Sequence, residues 1–386
     1  MSAKILLLQD AVHLPSFGGG NKANRLLMRE LAALGFECTV LARLPSSERS
    51  RAGPFSLAAL AARGVTIRKG GDGGLSYRHE GVEATAMDLT LPDALARVGE
   101  IVERAQPDWI LVSDDHQSVF LESALRCRPD RVVVLVHTHF HLPFGPEAGK
   151  VNVDQHHRMR RARSVVVVSE YSRTYVREHG GMDATIIRFP VFGRGPFECV
   201  GRPAAGFVTM INPCLFKGLP IFLDLADHFP DVAFAAVPTW GSDDPVIDAL
   251  SLRHNIALLA PDDDIGAVLR DARVLVAPSL VPETFGYVAI DAMLRGVPVM
   301  ASGLGGQREA LLSAGQIIPV GPLVTSSAGL VAPPQDFSTW RTALRALLTD
   351  AASYRQKAVA GREAAHRFLA ETDVRHFVSH LAVLKG

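Results

Sequence analysis

The chain has 386 residues, 48% of them hydrophobic and 21% charged, enough apolar material for a sizeable core and too much for global disorder. Lys plus Arg and Asp plus Glu both number 40, so the formal net charge of +0 sets up no field toward nucleic acid or an anionic membrane. Length favours two domains over one.

The N-terminal run MSAKILLLQDAVHL holds one Lys, and its apolar stretch breaks after Leu8 at Gln9 and Asp10. It is too short for a secretory segment and predicts a buried strand over Lys4–Leu8. Asn24 to Leu34 shows helical spacing that Gly35 ends, and Cys38 to Leu41 is the next strand. Leu91 to Ala105 reads as a helix. Trp109 to Val112, Val132 to Val136 and Ser164 to Val168 read as further strands. Continuous apolar strands separated by helices indicate a parallel sheet covered on both faces. Between Phe189 and Ala205 the period lapses into FPVFGRGPFECVGRPAA, where a domain boundary is expected. The alternation restarts with strands at 206–211, 232–237, 256–259, 274–277 and 297–301 and a helix from Leu219 to Asp227. Beyond Thr339 the pattern is mostly helical. The expected architecture is therefore α/β: two doubly wound Rossmann-like domains facing a cleft, 1–195 and 196–365, followed by a helix at 366–386. That helix, with Phe368 and Phe377, is expected to cross back onto the first domain. Open α/β sheets bind ligands beyond the carboxyl ends of their strands.

No apolar stretch reaches transmembrane length. Cys38, Cys127, Cys199 and Cys214 lie far apart without CxxC pairing and read as buried thiols in a reducing compartment, so a soluble cytoplasmic protein is expected. The abundance of Arg and Ala hints at a GC-rich bacterial source.

Two loops have the make-up of phosphate sites. LPSFGGGNKANRLLMREL sets Gly18, Gly19 and Gly20 before a helix, where the backbone approaches an anion closely and N–H groups carry partial positive charge. A mobile surface loop is the equal alternative. VTMINPCLFKGLPIFLDL runs from a strand into Asn212-Pro213 and sets Lys217-Gly218 at a helix start. There a Lys reaches a phosphate or is simply solvated.

LVPETFGYVAIDAMLRGVPV places Glu283 on a Pro-flanked loop before Phe285-Gly286, and Asp291 on the apolar helix that follows. With Ala292-Met293, Gly296-Val297-Pro298-Val299 and Gly305-Gly306-Gln307-Arg308-Glu309, it closely resembles the nucleotide-sugar signature of the retaining GT-B glycosyltransferases of family 4 type. The resemblance extends to the GGG loop, VVVVSEYSR (165–173), the Lys217-Gly218 step and ARVLVAPS (272–279), and is thinnest over 45–130. It implies transfer of a sugar from a nucleotide-diphosphate sugar to a hydroxyl of a small-molecule or glycan acceptor, with retention and by front-face displacement. No cofactor, metal or nucleic-acid partner is implied. Glu283 would take donor-sugar hydroxyls, with Thr284, Phe285, Gly286 and Tyr287 lining the same sugar. Asp291 would take the ribose, Lys217 the diphosphate with Gly19 and Gly20, and the loop at Pro261 the nucleobase. A carboxylate suits a diol because it accepts two charge-assisted hydrogen bonds. The alternative for Glu283 is a cap of the following helix.

Two positions depart from the family. Asp291 stands where Glu is usual, and Asn212 where Arg is usual, so an amide replaces a fork that grips diphosphate. Arg308 or Arg188 are candidates to supply the charge. His137, in VVLVHTHFHLPFG, stands where the family often has a His facing the donor sugar. His139 and His141 alternate with it, but no carboxylate cluster completes a metal shell. Asp114, Asp115 and His116 in SDDHQS are candidates for holding the acceptor or for base work, with a helix cap as the equal alternative. Rival functions are a nucleotide-sugar epimerase of the same fold and a catalytically idle nucleotide-sugar-binding protein.

Overall fold

A computed structural model describes residues 3–16, 18–44, 60–61, 64–70, 74–113, 115, 118–327 and 329–385. The chain divides into two compact units: one runs to Gly193 and takes in the chain from Glu371 onward, and the other is Arg194–Ala370.

The first unit is built on a nine-stranded sheet of β1 (Lys4–Gln9), β2 (Glu37–Arg43), β3 (Ile67–Lys69), β4 (Leu75–His79), β5 (Val82–Met87), β6 (Trp109–Ser113), β7 (Val132–Val136), β8 (Ser164–Val167) and β9 (Thr185–Ile186). Its order is β3-β4-β5-β2-β1-β6-β7-β8-β9. From β5 to β9 every pairing is parallel, in register Leu7↔Val40 and Leu7↔Leu111. Ile5 to Leu8 are all buried because helices cover both faces: α1 (Gly19–Ala33), α2 (Ala94–Ala105), α3 (Val119–Cys127), α4 (Val153–Met159) and α5 (Glu170–Gly180). Leu6, Leu8, Val98, Ile110, Phe120 and Val134 belong to one core cluster.

Sequence reading missed β3, β4 and β5, which join by antiparallel pairing through a His79↔Val82 turn at Glu80-Gly81, both with positive φ. These strands alternate instead of running apolar throughout, since this edge is covered on one face.

The second unit carries β10 (Phe207–Ile211), β11 (Phe234–Val237), β12 (Ile256–Leu258), β13 (Ala272–Ala277), β14 (Val299–Ala301) and β15 (Gln316–Ile317), all parallel, in the order β12-β11-β10-β13-β14-β15. This is the doubly wound order, with its reversal between β10 and β13. Its helices are α6 (Leu219–His228), α7 (Asp244–Ser251), α8 (Ile265–Leu269), α9 (Tyr287–Leu294), α10 (Gln307–Ala310), α11 (Phe337–Thr349) and α12 (Ala351–Phe368). Val208, Met210, Phe222, Phe234, Val274 and Trp340 lie in its core. A small antiparallel hairpin, β16 (Val324–Ser326) with β17 (Gly329–Val331), lies apart from the main sheet.

The last helix, α13 (Val374–Lys385), belongs to the first unit, where Phe377 meets Phe189 at 6.2 Å and Arg163 donates to the Leu384 carbonyl. Phe368 does not join it. It ends α12 in the second unit and stacks on Phe285 at 5.8 Å.

The cysteines correct a second expectation. Cys38 and Cys214 are buried, Cys127 is partly so, and Cys199 is exposed on the irregular stretch after Gly193. No described helix is long and apolar enough to cross a membrane.

Candidate active site

In the second unit the loops after β10 and β13 leave adjacent strands at the sheet's reversal, which is where such sheets hold ligands. The first loop carries Asn212 to Gly218. Gly218 has φ +86, and a Cβ there would sit 2.0 Å from the Pro278 carbonyl oxygen, so only glycine lets the two loops touch. Leu280 N–H donates to the Phe216 carbonyl, and Ser279 Oγ donates to the same oxygen. Lys217 is thereby set beside the β13 loop.

Glu283 is fixed from behind. Gly306 N–H donates to its carbonyl at 2.7 Å, and its own N–H reaches the Leu304 carbonyl. Thus the Gly305-Gly306 turn of the signature holds the Glu283 backbone. From these two scaffolds Lys217 Nζ and Glu283 Oε1 meet at 2.5 Å, with side chains 27% and 17% exposed. The pair joins residues 66 apart in sequence, and both ends remain open enough for a ligand to reach.

Gly286, at φ +104, starts α9; the first turn of that helix carries no acid, and no side chain caps it. The start of this helix lies three residues past Glu283, and helix starts favour anionic oxygen. Phe285 is buried and anchors the turn, with Tyr287 edge-on at 5.3 Å. Thr284 and Tyr287 are half-buried, as is Pro261, which follows β12 just before Asp264 caps α8.

Asp291 lies on the buried side of α9 and has a partner at the C-terminal end of that helix. It is 3% exposed, and Arg295 Nη1 lies 3.4 Å from its carboxylate and donates to its carbonyl at 2.9 Å. A ribose would compete with that guanidinium for the carboxylate. Asn212 takes an unforeseen part. It adopts φ 57, a left-handed conformation that Asn tolerates better than Arg, and its Oδ1 accepts from Gly241 N–H at 2.9 Å. It ties the β11 loop to the β10 loop. Arg308 is exposed on α10, and Arg188 lies in the first unit, 4.0 Å from Glu371.

In the first unit Gly19 and Gly20 open α1 itself, whose first turn carries no acid. Gly20 is a packing requirement, because a Cβ there would lie 2.7 Å from that of His137. His137 is buried, with Nε2 2.7 Å from Asn24 Oδ1; Asn24 Nδ2 donates to Gln9 Oε1 at 2.8 Å and to Ser113 Oγ at 2.9 Å. Because the amide nitrogen is committed to these two acceptors, the network sets His137 Nε2 as the donor to Asn24 Oδ1. Gln9, Asn24 and Ser113 were not among the expected residues. The signal for Asn24 was a polar residue on the buried stripe of an amphipathic helix.

His139 is not a partner of His137. It is 2% exposed, stacked on Tyr175 at 4.0 Å, and held between Glu147 at 2.8 Å and Ser172 at 2.9 Å. This fastens the 138–152 segment to α5. Among the described residues no three His, Cys, Asp or Glu side chains are grouped to hold a metal ion.

Asp114 and His116 lie outside the described residues. Asp115 caps α3, accepting from Leu121 N–H at 2.9 Å and Phe120 N–H at 3.3 Å, and it lines a cavity of about 40 Å³ with His137, His141 and Gln155. Burial pushes its carboxyl up to about 7 against the pull of the Leu121 N–H, with Asp10 adding to the rise. Between the unfolded value near 3.8 and about 7 the folded chain keeps a proton that the unfolded chain has lost. Stability therefore falls as pH rises through that window, by at most about 4 kcal/mol. Asp115→Asn keeps an acceptor for Leu121 and removes the titration. Its melting temperature, measured from pH 4 to 7, is expected to fall less than that of the wild type. Parallel profiles would count against a protonated Asp115.

Two doubly wound units, each with polar groups gathered at the carboxyl edge of its parallel strands, define an α/β protein built to hold ligands at those edges. Comparison with known proteins gives the family. Glycosyl transferase 4-like domain matches residues 18–191 and Glycosyl transferases group 1 matches 207–350, together most of the chain. The chain belongs to the group 1 glycosyltransferases of GT-B fold. Phosphatidyl-myo-inositol mannosyltransferase of Mycobacterium leprae is 31% identical over 183 residues, 43% of this chain and 48% of that protein. D-inositol 3-phosphate glycosyltransferase of Kineococcus radiotolerans is 37% identical over 98 residues, 25% of this chain and 21% of that protein. The chain thus spans less than half the length of these curated relatives. Sucrose-phosphate synthase from Thermosynechococcus elongatus shares the fold over 100% of both chains, with a TM-score of 0.71 at 16% identity. Anabaena HepE in complex with UDP and glucose does so over 98% of each, with a TM-score of 0.66 at 18% identity.

Proposed function

We propose that the chain is a retaining glycosyltransferase that binds a nucleotide-diphosphate sugar on its second unit and passes the sugar to a hydroxyl of a small-molecule or glycan acceptor. The observation that carries this is the Lys217–Glu283 pair, a cation for the diphosphate beside an anion for sugar hydroxyls, both on rigid loops at the sheet reversal. Binding of the donor replaces the pair by two better-matched contacts: Nζ to phosphate oxygen and carboxylate to a diol. The N–H groups at the start of α9 add to the charge around the leaving group. HepE, solved with UDP and glucose, shares this fold.

In this reading the reaction is a front-face displacement, with Glu283 holding the sugar's hydroxyls. The bond from the anomeric carbon to the phosphate oxygen breaks while the acceptor oxygen bonds on the same face. The acceptor proton passes to the departing phosphate oxygen, and the products are a nucleoside diphosphate and a glycoside of unchanged anomeric configuration. Catalysis then rests on positioning and on stabilising developing phosphate charge.

The two departures favour a second reading. With Asn212 tied to Gly241 and Asp291 facing Arg295, binding without turnover is the alternative. Incubation with a panel of nucleotide sugars and hydroxyl acceptors, followed by NMR of the anomeric proton, separates the two. The proposal expects a glycoside with the donor's configuration. Inversion contradicts the mechanism, and bound but unconsumed donor supports the idle reading.

A further inference from the structure

Trp240 is the exposed tryptophan of this chain: the residue is 62% exposed, whereas Trp109 and Trp340 are buried at 4% and 0%. It stands three residues past β11, on a turn closed by Ser242 N–H to the Thr239 carbonyl at 3.2 Å. That turn is fastened at two points to the β10 loop. Gly241 N–H donates to Asn212 Oδ1 at 2.9 Å, and Ser242 Oγ donates to the Pro213 carbonyl at 2.8 Å. The approach is so close that a Cβ on Gly241 would lie 2.9 Å from both Asn212 Oδ1 and Cys214 Sγ. A large apolar side chain is thus held out in water on a rigid mount at the ligand edge of the sheet. An indole with no task there gains nothing from such fastening.

Its place in the sheet says what it meets. In the order β12-β11-β10-β13 the Trp240 loop lies between the loop bearing Lys217 and the loop bearing Pro261. A nucleotide with its diphosphate at Lys217 and its base toward Pro261 passes the indole. We propose that Trp240 is the stacking platform for the nucleobase of the donor, and that Asn212 is the positioning residue that holds the platform in place. This rests on the donor reading above and deepens it. It also gives Asn212 a task of its own: where the family's Arg is absent, the shorter amide adopts the left-handed backbone and latches the aromatic loop. Stacking on a π-face tolerates every base, so the platform supplies affinity while neighbouring loops choose among bases.

The test compares UDP, GDP and ADP with inorganic pyrophosphate by calorimetry in the full-length wild type, Trp240→Ala and Asn212→Ala, with tryptophan fluorescence read in parallel. The wild type is expected to bind one or more nucleoside diphosphates more tightly than pyrophosphate, with fluorescence quenched on binding. Trp240→Ala is expected to weaken that nucleotide about 5- to 100-fold and to leave pyrophosphate unchanged. Asn212→Ala loses the same base-dependent increment and most of the quenching, again with pyrophosphate unchanged, a split that general loosening of the unit would not give. Trp240→Ala binding nucleotides as tightly as the wild type overturns the platform and leaves the donor reading standing. A wild type that binds neither nucleotide nor pyrophosphate overturns both.

Discussion

Replacing Glu283 by Gln is expected to lower kcat/KM for sugar transfer by about 10²- to 10³-fold, with the fold intact and affinity for the bare nucleoside diphosphate little changed. The amide keeps the shape of the carboxylate but not its charge, so hydrogen bonds to a sugar diol weaken and the reacting carbon loses its alignment. Stability is spared because Glu283 is positioned through its backbone, by Gly306 N–H and the Leu304 carbonyl, and its side-chain pair with Lys217 is partly open to water. Partly exposed pairs of this kind contribute little. Nucleotide affinity is expected to be spared because the proposal gives the diphosphate to Lys217 and the helix N-terminus, not to Glu283. Steady-state kinetics beside calorimetry with the nucleoside diphosphate give the answer. A variant within threefold of the wild type would remove Glu283 from the reaction, and equal loss of nucleotide binding would show that it acts on the site's structure instead.

Gly218→Ala is expected to be among the most damaging small substitutions in the second unit. The added methyl would lie 2.0 Å from the Pro278 carbonyl oxygen and 2.8 Å from its carbon, at a residue whose φ is +86. Both obstacles are backbone, so no rotamer change relieves them. Opening the β10 and β13 loops also breaks the Leu280 and Ser279 hydrogen bonds to the Phe216 carbonyl. Such a combination costs about 3–5 kcal/mol, a fall of roughly 10 °C in Tm. Lys217, one residue away, is displaced with it, so donor affinity falls even below the transition. Differential scanning calorimetry with a nucleotide titration checks both effects. A Tm within 2 °C or so of the wild type would mean that the loops are not held as described.

The parts legible in the sequence are those in which physical chemistry acts over short range. Strands buried on both faces must be apolar throughout, so Lys4–Leu8, Val132–Val136 and Val274–Ala277 stood out, and helices between them implied parallel pairing. Glu283, Phe285-Gly286 and Gly305-Gly306 form a linear signature, because one loop and the turn that backs it are close in sequence. Pairings made across the fold were not legible. The meeting of Lys217 with Glu283 depends on Gly218 touching Pro278, and the latch of Asn212 on Gly241 depends on β10 lying beside β11. The Asn24 network needs α1 packed over β1, β6 and β7. The alternation in LSYRHEGVEATAM did carry the missing hairpin, with Glu80-Gly81 as its turn, but it sits where the family resemblance is thinnest.

The central claim is that a sugar nucleotide on the second unit parts Lys217 from Glu283 and takes both. A crystal structure of the full chain with an unreactive nucleotide-sugar analogue tests it most directly. The account predicts Lys217 Nζ within about 3 Å of a diphosphate oxygen, and the Glu283 carboxylate on hydroxyls of the sugar. An occupied analogue bound elsewhere, with the 2.5 Å Lys217–Glu283 contact unbroken, would contradict it.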